Sequence, residues 1–439
     1  MIRHLTFLLL LISLCARAQS DLNLFGSNKP VQFTDLELTQ VDMVAFPDYI
    51  RAQAHTFYDS LHYQSFWLGK EKALPRSDEL LEALKNLGDY GLYPSTYGYP
   101  YLSRAVPSLY SGDAAKEEII ELDLFMTAAY MTMVSHLLDG RIAQPGTINK
   151  LWVRKTEDHR ELDCLMALQN GHEFDKVTAS MHPKHPFYKP LLRKFQEIRK
   201  SEEVKYHDFT FEEATKVVIG FTDPKIVKLR ENLKKRGLDL RTDTNVVDSA
   251  LVIAIKDFQQ TRGIKVDGIP GENTLRYLNM SADELERLIA LNLERMRWFP
   301  DGLEEEFLLV NIPEFMLRYY EGGEKQIEMK VVAGEIVNST PVFSDTLTHV
   351  VFNPDWTVPQ SIIHEEMIPK MVNNPSHYSN LNFSIYENGE EINPDTVDWA
   401  SENIDQRYFG MVQNPGATNS LGLVKFMLPN SLSIYLHDT

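Results

Sequence analysis

Cysteine is scarce in this sequence, with two residues among 439. Cys15 lies in an N-terminal stretch that we expect to be removed, so Cys164 would be the single thiol of the remaining chain. One thiol cannot form an intramolecular disulfide, which excludes a disulfide-stabilised scaffold. In HRELDCLMAL, Cys164 is flanked by Leu162, Leu165 and Met166, a spacing typical of a helix face packed inward. We therefore predict a structural thiol and not a nucleophile.

Positive charge is also in short supply. The chain has 44 Lys and Arg against 62 Asp and Glu, a formal net charge of -18. Such an acidic chain is repelled by phosphate backbones, so we expect no nucleic acid as a partner. Its 43% hydrophobic and 24% charged residues are typical of a globular protein. The length allows two to four domains.

Long apolar runs are lacking except near the N-terminus. There, Arg3 precedes an apolar run from Leu5 to Leu14, and Ala16-Arg17-Ala18 follows it. This pattern predicts a secretory signal peptide, residues 1–18, cut after Ala18, and hence a periplasmic or exported protein. A membrane anchor is the alternative, but ten residues are too few to span a bilayer. Lipid attachment at Cys15 is a poorer alternative because the bulky Leu14 precedes it. No transmembrane segment is expected in the mature chain.

Metal-binding patterns are missing as well. His182 and His185 are three residues apart in MHPKHP, but each precedes a proline, which favours extended or turn backbone over one helix face. HEEMI at His364 lacks the second histidine of the zinc-peptidase signature H-E-x-x-H. We therefore predict no metal site and no other cofactor.

The first large region, residues 19–221, has mainly helical patterns. Leu80, Leu81, Leu84 and Leu87 form a helical stripe, and Glu117–Leu138 reads as a long helix that is apolar on nearly every side. Because such a helix must be buried all round, we place it at the centre of a helical domain.

Residues 222–280 have the pattern of a small three-helix domain. A helix begins near Asp223-Pro224, a second has one apolar face, and FQQTRGIKVDGIPGENTLRYL leads through a tight turn into a third. This stretch resembles the three-helix peptidoglycan-binding domain, which implies peptidoglycan as a partner. A spacer that no longer binds glycan remains the alternative. Ser281 and Glu284 then form a capping box that opens a linker helix, residues 281–305.

From Glu306 the apolar period changes to that of strands. The last stretch, NPGATNSLGLVKFMLPNSLSIYLHDT, has two short apolar runs around Pro429-Asn430 and reads as a hairpin. In its second run Tyr435 and His437 share one face. A histidine at a strand end, lifted off the apolar face, is well placed to act as a base.

NSLGLVKFMLPN followed by YLHD, together with VVFNPDWTVP, resembles L,D-transpeptidases of the YkuD type. GLYPSTY and ELDLFMTAAYMTMVSHLLDGRI resemble the helical scaffold domain of the larger members of that family. The resemblance implies a multidomain α+β protein: a helical scaffold domain, a peptidoglycan-binding domain and a mostly-β catalytic domain, residues 306–439. It also implies that residues 361–406 are an insertion that covers the active site as a lid.

The family's reaction is acyl transfer between peptidoglycan stem peptides through a cysteine thioester, so the stems and glycan would be the partners. The resemblance implies that His437 is the base and that the nucleophilic cysteine follows it by a loop of roughly fifteen to twenty residues. We therefore expect the nucleophile beyond Thr439, a catalytic domain incomplete at its C-terminus, and no activity for residues 1–439 alone. By the same resemblance, the substrate-binding residues would be Tyr435, Asn419, Gly422, Lys425 and Trp356.

Two other functions stay open on the sequence. A non-catalytic peptidoglycan-binding protein would have no use for the base His437, which favours an enzyme. An L,D-carboxypeptidase would pass the same thioester to water instead of an amine, and no residue separates that reaction from transfer.

Overall fold

The computed structural model describes residues 28–41, 46–142, 160–200, 208–211, 217–299, 303–334, 339–431 and 433–438. The chain divides into two compact units, Met1–Val342 and Phe343–Thr439. The predicted signal peptide, residues 1–18, lies outside the described residues. Within the described ranges, no helix combines the length and apolarity that a membrane crossing requires.

The first part of unit 1 is helical, as predicted. Its centre is α5, Lys116–Asp139, which is buried along nearly its whole length and confirms the predicted apolar helix. The surrounding helices are α1 (Asp35–Gln40), α2 (Asp48–Ser60), α3 (Pro75–Lys85), α4 (Tyr99–Leu109), α6 (Glu161–Gln169) and α7 (Phe174–Ala179). Cys164 lies in α6 within the same hydrophobic core.

Two strands in this helical domain were not predicted. β1 (Pro30–Gln32) pairs antiparallel with β2 (Gln64–Gly69). Asp123 of α5 holds β2 in place, since its carboxylate accepts hydrogen bonds from the backbone N–H groups of Phe66, Trp67 and Leu68 at 2.8–2.9 Å. Tyr58 donates a further bond of 2.6 Å. Burial raises the pKa of Asp123 to about 6 despite these four donors.

A helical pair connects this domain to the next segments of unit 1. α8 (Tyr188–Lys200) packs against α12 (Ala282–Met296) through a small apolar core. The predicted capping box of α12 is confirmed: the Glu284 N–H donates to Ser281 Oγ, and the Ser281 N–H donates to Glu284 Oε2. The linker helix is therefore a packed element of unit 1.

The three-helix domain is built as expected from α9 (Lys225–Lys235), α10 (Ser249–Thr261) and α11 (Glu272–Asn279). Its core is apolar and consists mainly of residues from these helices. Asp223 accepts a 2.7 Å hydrogen bond from the Lys225 N–H at the start of α9, and Asp248 caps α10 through the Leu251 N–H. Unit 1 then continues into an antiparallel sheet of β3 (Glu306–Asn311), β4 (Met316–Glu321) and β5 (Glu324–Lys330).

Unit 2 contains two sheets. In one, β6 (His349–Phe352) and β12 (Leu436–His437) flank β11 (Val424–Met427). In the other, the strand order is β7 (Trp356–Thr357), β10 (Phe409–Gln413), β8 (Phe383–Glu387) and β9 (Glu390–Glu391). All of the pairings are antiparallel.

Residues 361–406, expected to form a lid-like insertion, contain helical turns and two strands. A helical run occupies residues 360–371, comprising α13 (Gln360–Ile362), a π-turn (Ile363–Met367) and α14 (Ile368–Met371). β8 and β9 then join the sheet of β7 and β10. The segment has its own core, including Ile363, Met371 and Trp399. The alternation of apolar and polar residues in these two short strands was not recognised in the sequence, because Asn, Pro and Ser are frequent around them. Its role as a lid stays a proposal.

Candidate active site

The predicted C-terminal hairpin is present, with shorter strands than the apolar runs suggested. β11 pairs with β12 so that Lys425 faces His437 and Phe426 faces Leu436. Asn430 stabilises the connection, since its side-chain amide donates to the Ile434 carbonyl at 2.8 Å and its Oδ1 accepts from the Ile434 N–H. His437 therefore stands at the end of a strand whose position is set by β11.

The tautomer of His437 follows from its neighbour. Its Nδ1 lies 2.9 Å from the carbonyl oxygen of Asp438. Because a carbonyl oxygen only accepts hydrogen bonds, Nδ1 carries the proton and donates it. Nε2 is then left with a lone pair, as a general base requires. The ring is half-buried.

Asp438 attaches the end of β12 to the start of β11. Its carboxylate accepts hydrogen bonds from the Leu423 N–H at 3.0 Å and the Val424 N–H at 2.8 Å. These two bonds lower the pKa of Asp438, so the carboxylate is ionised at neutral pH. Because Asp438 also provides the carbonyl that orients His437, it fixes both the strand and the ring.

Gly422 makes room for this carboxylate. It has φ +64, and a Cβ built there would lie 2.3 Å from Asp438 Cγ. Its backbone conformation and its missing side chain are both needed. Predicted as a substrate-binding residue, Gly422 has a positioning role in the structure.

Lys425 and Tyr435 lie beside the histidine. Lys425 Nζ is 3.7 Å from the centroid of the Tyr435 ring, a cation–π contact. The Tyr435 and His437 rings are 5.9 Å apart. Partial burial raises the pKa of Tyr435, so its hydroxyl stays protonated and can donate a hydrogen bond. The structure thus brings three of the predicted site residues together on one hairpin.

Asn419 shapes the turn before β11. It is 7% exposed, and its side-chain N–H groups donate to the carbonyls of Gln413 and Asn414, both at 3.1 Å. Its Oδ1 accepts from the Leu421 N–H at 2.8 Å. These three hydrogen bonds hold the turn in place, and the contact of Asn419 with substrate stays a prediction.

Trp356 forms a wall of a cavity of about 490 Å³ within unit 2. Its ring is 6.2 Å from that of Phe383. Two thirds of the lining residues come from the segment 361–406, within which the sequence analysis named no single site residue. Two sequence features could have pointed to these lining residues: the helical run at residues 360–371 and the SHYSNLNF stretch. The lining residues are Trp356, Ile362, Glu366, Met367, Tyr378, Asn380, Leu381, Asn382, Phe383, Gln413, Thr418 and Ser420.

The histidines considered as metal ligands lie elsewhere. His182 stacks on Tyr90 and Tyr188, at 4.7 and 5.9 Å between ring centroids, and His185 is buried. His364 lies in the π-turn of unit 2. Among the described residues, no three His, Cys, Asp or Glu side chains come together as metal ligands would.

Comparisons with known proteins match three successive parts of the chain. A family model described as "Scaffold domain" matches residues 52–194. One described as "Putative peptidoglycan binding domain" matches residues 222–278. A third, "L,D-transpeptidase catalytic domain" of the YkuD type, matches residues 305–439, which include the hairpin and its histidine. Together these ranges cover more than half of the chain.

The chain belongs to the L,D-transpeptidase family. A curated Haemophilus influenzae protein named "Putative L,D-transpeptidase" is 34% identical over 185 residues. That alignment covers 40% of this chain and 37% of the relative's length. The predicted α+β fold, with scaffold, peptidoglycan-binding and transpeptidase domains, is confirmed.

The environment of Cys164 is unsuited to a nucleophile. It is 9% exposed in α6, and burial raises the pKa of its thiol to about 11. A thiol with such a pKa is almost wholly protonated at neutral pH and is a weak nucleophile. Its predicted structural role agrees with this environment.

Proposed function

We propose that this L,D-transpeptidase is an exported enzyme that cross-links peptidoglycan stem peptides through a cysteine thioester, with His437 as its base. The single observation that carries the proposal is the 2.9 Å hydrogen bond from His437 Nδ1 to the Asp438 carbonyl. It leaves Nε2 free to accept a proton. Export is supported by the signal-peptide pattern of residues 1–18 and by domains that act on the cell wall.

The reaction would run in two steps. Nε2 takes the proton of the cysteine thiol, and the thiolate attacks the carbonyl before the terminal D-Ala of a donor stem. The amide C–N bond breaks, and D-Ala leaves as an amine that takes the proton from His437. In the second step an acceptor amine attacks the thioester, gives a proton to His437, and releases the thiol.

Cys164 would not be the nucleophile, because the family's cysteine follows its histidine by roughly fifteen to twenty residues and Cys164 precedes His437. Residues 19–439 contain no cysteine besides Cys164. The oxyanion of each tetrahedral intermediate would be stabilised mainly by backbone N–H groups around the family's nucleophilic cysteine.

The predicted site residues fall into two roles. Tyr435 and Lys425 flank His437 and would contact the stem peptide, and Trp356 would form a wall of its binding cavity. Asn419 and Gly422 position the turn and the carboxylate of Asp438.

One feature of the cavity favours transfer to an amine over hydrolysis. Of its described lining residues, Glu366 is the one with a charged side chain, and it is exposed. A lone carboxylate above the buried side chains of Met367, Tyr378 and Phe383 suits a ligand that carries an ammonium group on an aliphatic stem. An acceptor stem has that chemistry, whereas water needs no such site.

The test compares residues 19–439 with the same chain extended through the downstream reading frame. Each is incubated with tetrapeptide stems and, separately, with a carbapenem, which acylates the family's cysteine. We expect a mass adduct and cross-linked dimers from the extended form alone. An adduct on the 19–439 form would contradict our exclusion of Cys164 as the nucleophile.

His437→Ala in the extended form should reduce cross-linking to background, since the base is lost. His349→Ala makes the same change on β6 of the same sheet and should keep the activity. Equal activity of both variants would remove His437 from the mechanism. Release of D-Ala without dimers, in the presence of acceptor, would indicate a carboxypeptidase.

A further inference from the structure

The three-helix domain differs in charge from the rest of the molecule. Residues 222–278 contain 11 Lys and Arg against 8 Asp and Glu, a net charge of +3 in a chain of -18. The negative charge of the whole chain repels an anionic partner at long range. A basic domain within it attracts such a partner locally and therefore favours an anionic ligand at this domain. Peptidoglycan is such a partner, since its stem peptides carry carboxylates.

The motif residues that identify this domain in the sequence form hydrogen bonds with one another inside the domain. Gln259 is 1% exposed. Its Nε2 donates to Asp267 Oδ1 at 3.0 Å, to the Ile269 carbonyl at 2.9 Å and to Thr274 Oγ1 at 3.1 Å. Its Oε1 accepts from the Asp267 and Gly268 N–H groups. These residues shape the loop between α10 and α11, so ligand contacts must come from others.

The structure describes every residue from 222 to 278. Within this range, the large exposed apolar side chains are confined to α10 and this loop. They are Ile253, Val266 and Ile269, with exposures of 59%, 49% and 45%. α9 has none of them. Scattered exposed apolar residues are ordinary, but here they belong to one helix and to the loop that packs on it.

Close packing of the loop on α10 brings these residues next to a lysine. A Cβ at Gly268 would lie 2.7 Å from Val252 Cγ1 and 3.1 Å from Lys256 Cε. The loop therefore rests on the helix at Lys256, which is exposed and three residues from Ile253 on the same face. We call Ile253, Lys256, Val266 and Ile269 the α10–loop surface.

We propose that the α10–loop surface is where this domain docks on peptidoglycan. The proposal rests on the wall-directed function above and adds the place and chemistry of contact. The Lys256 ammonium pairs with a stem carboxylate, and the apolar side chains pack on the faces and acetamido methyl groups of the sugars. Asp257 follows Lys256 in the chain and adds one negative charge. The Lys265–Asp267 ion pair of 3.4 Å is neutral overall.

The experiment measures retention of the full 19–439 chain on purified sacculi. Lys256→Glu and Ile269→Ser should each weaken binding about tenfold, as central contacts do in interfaces. Lys234→Glu, on α9, makes the same charge change off the surface. Leu291→Ser, on α12, removes an exposed apolar side chain outside the domain. Both controls should bind like the unchanged chain, and circular dichroism checks that every variant is folded.

The outcomes separate this proposal from the broader one. No retention of the unchanged chain would contradict wall binding altogether. Retention that survives Lys256→Glu and Ile269→Ser would overturn the docking surface alone. An equal loss in Lys256→Glu and Lys234→Glu would show adsorption by net charge, which also overturns it. Self-association of the chain that Ile269→Ser abolishes would assign the surface to a second copy instead.

Discussion

Gly422 and Asp438 fit together across the C-terminal hairpin, with the space that a Cβ would need at residue 422 taken by the Asp438 carboxylate. Sixteen residues separate them in the sequence. The contact lets the carboxylate reach the Leu423 and Val424 N–H groups. The position of His437 thus depends on a residue that carries no functional group.

We expect Gly422→Ala to detach β12 from β11. The substitution combines strain at φ +64, of order 1–3 kcal/mol, with a clash against Asp438. Hydrogen exchange at the Leu423 and Val424 amides should accelerate, because they lose their acceptor.

Gly389→Ala is the matched control. Gly389 has φ +89 in the same unit but nothing within 4 Å of a built Cβ, so it reports strain without the clash. If both variants leave the exchange of Leu423 and Val424 unchanged, the carboxylate does not hold the strand.

Asp123→Asn should destabilise the helical domain by roughly 2–4 kcal/mol. One of the two acceptor oxygens becomes an NH₂ group that faces backbone N–H donors of β2, which leaves buried donors unsatisfied. Urea unfolding followed by helical circular dichroism measures the free energy of unfolding. Asp163→Asn, at an exposed position of α6, should change it by less than about 0.5 kcal/mol. Equal small changes would contradict the role given to Asp123.

Acid should destabilise unit 1 through three of its buried histidines. Burial lowers the pKa of His136, His182 and His185 to about 4, below the unfolded value of about 6.5. Between these pH values the unfolded chain binds more protons than the native one, so stability is full above pH 6.5 and falls toward pH 4. Asp123 opposes this trend, because its raised pKa of about 6 lets the native state bind a proton that the unfolded chain does not. After discounting for partial exposure and for Asp123, we expect a net loss of about 2 kcal/mol between pH 7 and 5.

Urea unfolding at a series of pH values measures that slope. His182→Gln should make it shallower, because one of the three histidines no longer titrates. His172→Gln, at an exposed site, should leave it unchanged. A slope that is flat between pH 7 and 5 would show that the three rings are accessible to protons in the native state.

Cys164 should resist thiol reagents in the folded mature chain. Its burial and raised pKa both suppress the reactive thiolate. Labelling with a chromogenic disulfide should be slow in buffer and complete in denaturant. Rapid stoichiometric labelling of native protein would show that α6 opens readily or that the thiol is exposed.

Features that depend on neighbouring residues could be predicted from the sequence. The long apolar helix α5, the Ser281–Glu284 capping box and the hairpin around Pro429-Asn430 are each encoded within a few turns or strands. Hydrophobic period, capping residues and turn residues act over that range, so no tertiary information is needed. The order of the domains and the candidate base His437 were likewise predicted from short sequence motifs.

Tertiary structure alone decided the pairings of distant residues. Asp123 looked like one polar residue in an apolar helix until β2, more than fifty residues earlier, brought three N–H groups to its carboxylate. Asn419 is one polar residue before a strand in the sequence, and only the fold brings the Gln413 and Asn414 carbonyls to its amide. A side chain's role depends on which groups surround it after folding, and a buried polar group is stable only where such partners meet it. Those partners come from elsewhere in the chain, so the local pattern does not contain them.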